Sequence, residues 1–137
     1  MRLKLFGLFI IIVILSGCAG TVKYSEPSIA DGAAADTATL HVLRPNSVWG
    51  SAIRTPVNIN NQLIGRLGPG GHLKTKVPVG HVSVSVTTSD VVLDAEKDAE
   101  YFVKVTMPAQ LWFMTPSFNI KLMEEAEGKV LMEKNDK

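Results

Sequence analysis

Cysteine is nearly absent from this chain: Cys18 is the only one among 137 residues. A single thiol cannot form an intramolecular disulfide, and it cannot supply the set of thiolates that many structural zinc sites use. The folded part of the chain must therefore be stabilised by an apolar core rather than by covalent cross-links.

Motifs of the common catalytic and nucleotide-binding sites are absent as well. There is no Gly-x-Ser-x-Gly elbow, no His-Glu-x-x-His pair and no P-loop. The stretch Gly68-Pro69-Gly70-Gly71 precedes no predicted helix whose N-terminus would hold a phosphate, so it is predicted to be a turn. The sequence thus predicts a protein that is not an enzyme and that carries no cofactor.

Only one long apolar run occurs, from Leu5 to Leu15, and Gly7 alone interrupts it. Its length of about 11 residues is too short for a membrane-spanning helix, which needs about 20. Two basic residues precede the run and small residues follow it, which is the layout of a secretory signal. Residues 1–17 are therefore predicted to be a cleaved signal peptide.

The run ends in Leu15-Ser16-Gly17-Cys18, which resembles the lipobox of bacterial lipoproteins. The resemblance implies cleavage between Gly17 and Cys18, a diacylglyceryl group on the cysteine sulfur, and a fatty acyl chain such as palmitate on the new N-terminus. Two or three chains attach a protein stably to a membrane, because each buried methylene contributes about 0.8 kcal/mol. Ala19 follows the cysteine, which in lipoproteins of Gram-negative bacteria implies the outer membrane, here facing the periplasm. The alternatives are an ordinary secreted protein, in which the cysteine is not lipidated, and a short uncleaved anchor.

Removal of the signal leaves about 120 residues, which suits one small domain. Arg2 and Lys4 leave with the signal, so 12 basic side chains remain against 13 acidic ones, and this balance argues against nucleic acid as a partner. Residues 18–36 are rich in small and polar residues without a periodic apolar face, so we expect a lipidated cysteine followed by a flexible tether. The folded domain is predicted to span residues 37–137.

Short stretches of period-two hydrophobicity, separated by Gly, Pro and Asn, follow the tether. They predict an all-β fold, an antiparallel β-sandwich of six to eight strands. Asn60-Asn61 suits a tight hairpin, and Pro78-Val79-Gly80 is predicted to turn Val77 back toward Val82. A short C-terminal helix is predicted over 124–134, although Gly128 lowers its propensity. The predicted strands are 38–44, 56–60, 62–67, 72–77, 81–87, 91–93, 101–106 and 118–122.

The order of several short segments within residues 37–122 resembles a family of small bacterial lipoproteins, domain-of-unknown-function family 2846. The segments are Arg44-Pro45, Gly50, Val57-Asn58-Ile59-Asn60, Ile64-Gly65-Arg66-Leu67, Pro78-Val79-Gly80-His81 and Glu100-Tyr101-Phe102-Val103. The resemblance implies a PEGA-like β-sandwich and a location in the cell envelope. It supplies no catalytic residues.

Acidic residues are absent between Thr37 and Ser89, whereas ten of them follow from Asp90 onward. The basic residues of the first stretch are Arg44, Arg54, Arg66, Lys74 and Lys76. One interpretation is a basic surface that binds anionic envelope material, such as lipid phosphates or peptidoglycan carboxylates. The other is that these five are ordinary outward positions on separate strands.

Histidines number three, and His72 and His81 begin strands on either side of one predicted turn. They would approach each other across a hairpin and are the only metal-site candidate, while His41 lies on an earlier strand. Zinc needs three or four ligands with orienting partners, so no metal is predicted.

Four carboxylates alternate along residues 94–100 and are predicted to belong to a solvated turn rather than to an acid–base pair or a weak calcium site. They are Asp94, Glu96, Asp98 and Glu100.

An apolar tetrad, Leu111-Trp112-Phe113-Met114, lies between two prolines. It either plugs one open end of the sandwich or forms an exposed patch for a protein partner or a membrane interface. Trp49 lies in a long predicted loop and would extend the same patch. Trp49, Trp112 and Phe113 are therefore candidate partner-binding residues, together with the five basic ones.

The function predicted from these features is that of a non-enzymatic, lipid-anchored envelope protein that binds another envelope component, either a protein or a glycan. Two alternatives remain. One is an enzyme acting on an envelope glycan or peptide, which requires two carboxylates brought together in a cleft. The other is a carbohydrate-binding module that stacks sugars on Trp49 or Trp112.

Overall fold

The computed structural model describes residues 36–110 and 114–137. The predicted signal peptide, the lipidation site at Gly17 and Cys18, and the predicted tether up to residue 35 lie outside the described residues. The same holds for Leu111, Trp112 and Phe113.

Eight strands and one helix make up the described chain. They are β1 (Thr37–Leu43), β2 (Thr55–Ile59), β3 (Gln62–Leu67), β4 (His72–Pro78), β5 (Gly80–Val86), β6 (Ser89–Ala95), β7 (Glu100–Thr106), β8 (Asn119–Met123) and α1 (Glu125–Asn135).

The strands form two four-stranded sheets. Sheet A has the order β4-β1-β7-β8 and sheet B the order β3-β2-β5-β6. The predicted all-β sandwich with a short C-terminal helix is therefore confirmed. All neighbouring strands are antiparallel except β1 and β7, which run parallel. Because these two strands point the same way, the loops that follow them leave the sandwich at the same end.

The core lies between the sheets and follows the alternation of side chains along each strand. In β1, Leu40 and Val42 are fully buried, and in β5 the inward residues are Val82, Val84 and Val86. Each such side chain stabilises the fold by about 1.5–3 kcal/mol relative to an exposed position. Burial on this scale is what a domain without cross-links requires.

Two of the predicted turns have different outcomes. Asn60 and Asn61 adopt φ values of 48° and 65° and join β2 to β3, so the predicted hairpin is confirmed. The prediction that Pro78-Val79-Gly80 folds Val77 back onto Val82 is wrong. Val77 pairs with Ala38 in sheet A, and Val82 pairs with Leu93 in sheet B, because the chain crosses here from one sheet to the other.

Helix α1 packs on the outer face of sheet A. Its first turn carries Glu125 and Glu127 and its last turn Lys134, which suits the helix dipole. Gly128 lies so close to the sheet that a Cβ atom there would sit 2.2 Å from Cγ of Phe102. The low helix propensity of glycine is therefore tolerated because the helix needs this close approach. Within the described residues no helix is long and apolar enough to cross a membrane.

Candidate functional site

The described residues of the loops that follow β1 and β7, which are 45–54 together with 107–110 and 114–118, enclose a groove of about 390 Å³ at one end of the sandwich. We call it the end groove. Its lining is largely apolar, and the described residues that line it include Trp49, Gly50, Ile53, Met107, Met114 and Pro116.

Large apolar side chains remain exposed around the end groove. Trp49 is 58% exposed, Met114 is 54% exposed, and Val48 beside it is 91% exposed. The structure thus brings Trp49 together with Met114, the described member of the apolar tetrad. Trp112 and Phe113 lie outside the described residues, so the structure gives no account of them.

Phe118 fills the core below the groove. Its side chain is 3% exposed and belongs to the main core. The hydroxyl of Thr88 donates to the Phe118 carbonyl at 3.0 Å and accepts from the Phe118 amide at 2.8 Å, which ties the 107–118 loop to sheet B. The residue that closes this end of the sandwich is therefore Phe118, whereas Met114 of the tetrad is exposed.

Arg44 organises the 45–54 loop from below. Its guanidinium donates to the carbonyl oxygens of Ile53 at 2.6 Å, Gly50 at 3.2 Å and Leu67 at 3.2 Å. It also lies 5.2 Å from the ring centroid of Phe118, within cation–π range. Burial lowers the pKa of Arg44, but a guanidinium stays charged at any physiological pH. These contacts shape the wall of the end groove.

Gly50 closes the turn of the same loop. Its φ of 70° is rare for residues with side chains, and a Cβ atom would lie 2.3 Å from Sδ of Met107. The Ile53 amide donates to the Gly50 carbonyl at 2.9 Å. Glycine is therefore required here by both backbone conformation and space.

The amide side chain of Gln110 joins the two ends of the segment that contains Met114. Its Oε1 accepts from the Ser117 amide at 3.2 Å, and its Nε2 donates to Ser117. These contacts hold the base of the 107–118 loop, and with it one wall of the groove.

The end groove lies at the end of β1 opposite to Thr37, where the predicted tether joins the domain. Seven residues of extended chain separate these ends by roughly 20 Å. At the tether end, Lys97 forms an ion pair with Asp36 at 2.6 Å. The groove and the tether junction thus occupy opposite ends of the sandwich.

No family model matches this chain, and no curated protein matches it. Among solved structures, the N-terminal domain of AlgF from P. aeruginosa is similar with a TM-score of 0.36 and 13% sequence identity, over 63% of this chain and 94% of that one. A likeness at this level carries no argument about function. The fold rests on the strand pairings of the chain itself.

The five basic residues predicted as one surface are not brought together. Arg44 is 1% exposed and donates to backbone carbonyls, so its assignment to a basic surface is wrong. Arg66 lies opposite Pro56 on the outer face of sheet B, and Lys74 and Lys76 lie on the outer face of sheet A. Arg54 is exposed beside Gly68, near the end groove. Arg66 lies apart from Lys74 and Lys76, although they are close in sequence, because β3 belongs to sheet B and β4 to sheet A.

A pair of buried histidines lies on the outer face of sheet A. His41 is 4% exposed and His72 is 7% exposed, and His41 Nδ1 lies 2.9 Å from His72 Nε2. His41 Nε2 lies 3.2 Å from Oε1 of Glu100, and the His41 ring stacks on Phe102 at 4.7 Å between centroids. The sequence suggested His72 with His81 instead, and that pairing is wrong. The correct partner follows from the β1–β4 register, which sequence spacing does not reveal.

Burial lowers the pKa of both His41 and His72 below the ordinary value of 6.5. The hydrogen bond to Glu100 acts in the opposite direction on His41 but is the smaller effect. The charge of a protonated His41 lowers the pKa of His72 further. Both rings therefore favour the neutral state in the folded domain.

Metal ligands do not converge in the described part of the chain: no group of three or more His, Cys, Asp or Glu side chains is placed to hold an ion. His81 contacts Asp94 on the exposed face of sheet B. The predicted acidic turn is partly strand, since β6 extends to Ala95 and β7 begins at Glu100. All four carboxylates of residues 94–100 are exposed at the surface.

Proposed function

We propose that this chain is a lipid-anchored protein of the bacterial envelope whose sandwich domain binds another envelope protein and performs no catalysis. Support for the anchor comes from Leu15-Ser16-Gly17-Cys18 and from the apolar run before it. The resemblance to domain-of-unknown-function family 2846 supports the same location, and Ala19 favours the outer membrane with the domain in the periplasm.

The end groove is the observation that carries the binding role. Exposed apolar surface of this kind on a small domain marks interaction sites more often than chance. Because the groove lies at the end of the sandwich away from the tether junction, a membrane-anchored domain would present it away from the lipid. An apolar side chain of a neighbouring protein fits the lining of Ile53, Met107 and Pro116, with Trp49 packing over it.

The anchor is tested by replacing Cys18 with serine. The wild-type protein is expected to lose residues 1–17, to gain the mass of the acyl chains, and to remain with membranes in high salt. Cys18→Ser is expected to keep the mass of the unprocessed chain and to incorporate no alkynyl palmitate. Ser16→Ala, which keeps a small residue and the cysteine, is the matched control. An unlipidated wild-type protein by intact mass would refute the anchor.

The binding role is tested by site-specific photo-crosslinking in intact cells. A photoreactive residue at Val48, which is 91% exposed beside the groove, is expected to give a discrete crosslinked protein band. The control is Val92, which is 59% exposed on the outer face of sheet B, on a strand that does not line the groove. Identical products from both positions would mean random collisions, and the groove would then not be the binding surface.

Glycan binding is the second candidate, because half-exposed Trp49 would offer a face on which a sugar ring stacks. It predicts no protein crosslink from position 48. It also predicts that the chain sediments with purified peptidoglycan and that Trp49→Leu abolishes this. A wild-type chain that neither crosslinks nor sediments would exclude both forms of binding.

A further inference from the structure

The histidine pair lies where helix α1 packs on sheet A. Leu43, Phe102 and Met123 of the sheet form a second apolar cluster with Leu131 and Met132 of the helix. The His41 ring is parallel to the ring of Phe102, with 9° between the planes. The same Phe102 ring receives the close approach of Gly128. The two imidazoles therefore belong to the surface of sheet A on which the helix packs.

The hydrogen bonds of the pair define one arrangement of protons. If His41 carries its proton on Nε2, that N–H donates to Glu100, and Nδ1 accepts from the Nε2–H of His72. This arrangement satisfies both contacts with two neutral rings. One added proton is accommodated if His72 shifts its own proton to Nδ1 and accepts from a charged His41. A second added proton would place two cations 2.9 Å apart in a buried site.

We propose that the His41–His72 pair makes the docking of helix α1 dependent on pH. The helix stays packed on sheet A while the pair holds at most one extra proton, and further protonation in acid releases the helix from the sheet. This device is independent of whether the end groove binds a partner. The net charge at the pair depends on the protonation of the two imidazoles and on the charged groups that face them.

Charged groups approach the pair from each packed element. Glu100 of β7 contacts His41, and Lys74 of β4 and Lys129 of the helix disfavour its protonation. Asp136, just after the helix, favours a charged His72, whereas Lys74 opposes it. Lys129 itself is paired with Glu125. The carboxylates Glu100 and Asp136 thus moderate the effect of acid, and burial outweighs them.

The direction of the effect follows from proton binding. Burial depresses the pKa of both histidines in the docked state, so well above pH 6.5 both states are neutral and docking is at full strength. As the pH falls below 6.5, the released state binds more protons, and docking weakens. Each proton of difference changes the docking equilibrium by up to about tenfold per pH unit.

Release of the helix would also affect the 45–54 loop, which forms one wall of the end groove. Asn135 at the end of the helix is buried, and its Nδ2 donates to the carbonyl of Arg44 at 3.0 Å. The same amide group lies 3.4 Å from the Gly71 carbonyl. The side chain of Arg44 also holds the 45–54 loop. The end of the helix and that loop are therefore both hydrogen-bonded to Arg44.

Hydrogen exchange of the full chain in detergent micelles, at pH 7.5, 6.5, 5.5 and 4.5 and corrected for intrinsic rates, tests the proposal. The amides of Glu125–Asn135 are expected to lose up to about 100-fold in protection between pH 6.5 and pH 4.5, if one proton is taken up. The amides of Gly80–Val86 should keep theirs. Parallel loss in both segments would show global unfolding and would overturn the proposal.

Three variants sharpen the test. His72→Gln keeps an N–H donor for His41 but cannot titrate, so the pH dependence of helix protection should fall to the part that His41 alone contributes. His81→Gln removes the third histidine, on the far sheet, and should behave as wild type. Gly128→Ala forces a methyl group against Phe102 and gives the exchange pattern of a displaced helix at every pH. Unchanged pH dependence in His72→Gln would refute the role of the pair.

A measurement on the wild-type chain decides the matter if His72→Gln fails to fold. Nuclear magnetic resonance of the ring C–H protons reports the titration of each histidine. The rings of His41 and His72 are expected to titrate below the ordinary value of 6.5, in step with loss of helix protection. Titration of these two rings near 6.5 while the helix stays protected would contradict the proposal.

Discussion

Replacing Arg44 with methionine is expected to lower the free energy of unfolding by about 2–4 kcal/mol, because three backbone carbonyls lose the hydrogen bond from the guanidinium, and of these the Gly50 carbonyl still accepts from the Ile53 amide. Each buried acceptor left unpaired costs about 1–3 kcal/mol. Methionine keeps most of the apolar stem, and removal of an unpaired buried charge offsets part of the loss. The carbonyls affected are those of Gly50, Ile53 and Leu67.

Urea denaturation followed by circular dichroism measures this loss. Arg66→Met is the matched control, because Arg66 is exposed on β3 and its replacement should change stability by less than about 0.5 kcal/mol. Equal effects of the two substitutions would mean that the guanidinium of Arg44 does not hold the loop.

Replacing Phe102 with alanine is expected to cost about 3–5 kcal/mol, the usual range for a buried aromatic residue. Phe102 is 1% exposed and packs between Gly128 of the helix and the His41 ring. The cavity would open beneath helix α1, so helix protection should fall further than that of β5. The docked helix and the burial of His41 depend on this one ring.

Leu122→Ala on the neighbouring strand β8 is the control for that substitution. Leu122 is 44% exposed, so its loss should change the free energy of unfolding by less than about 1 kcal/mol. Urea denaturation gives the total effect, and hydrogen exchange separates the helix from the sheets. A Phe102→Ala protein as stable as Leu122→Ala would show that α1 does not depend on Phe102.

Local patterns predicted most of the strands. The valines of β5 alternate with serines, and only one face of such a strand can be buried, so Val82, Val84 and Val86 had to point inward. Asn60-Asn61 predicted its hairpin because both residues tolerate positive φ. β6 is longer than predicted, since polar residues, Ser89 and Asp90 on one side and Asp94 on the other, flank the short apolar stretch from Val91 to Leu93 that the sequence shows.

The candidate sites were less predictable, because they depend on which strands become neighbours. The turn at Pro78-Val79-Gly80 is as compatible with a crossing between sheets as with a hairpin. Because the chain crosses from sheet A to sheet B at this turn, His72 lies beside His41 and His81 lies beside Asp94. An arginine next to a proline in a loop likewise gives no local sign of burial, so Arg44 was assigned to the surface.

The sequence by itself determined the fold class, the strand positions and the expectation of a lipid anchor, because each depends on residues close together along the chain. Only the tertiary structure decided that β1 and β7 run parallel, that Arg44 is buried beneath the end groove, and that His41 meets His72 under helix α1. These features arise from contacts between separate segments of the chain, such as the 23 positions that separate Arg44 from Leu67 and the 31 positions that separate the two histidines. Such contacts are selected by the packing of the whole core, and a local pattern of hydrophobicity carries no record of them.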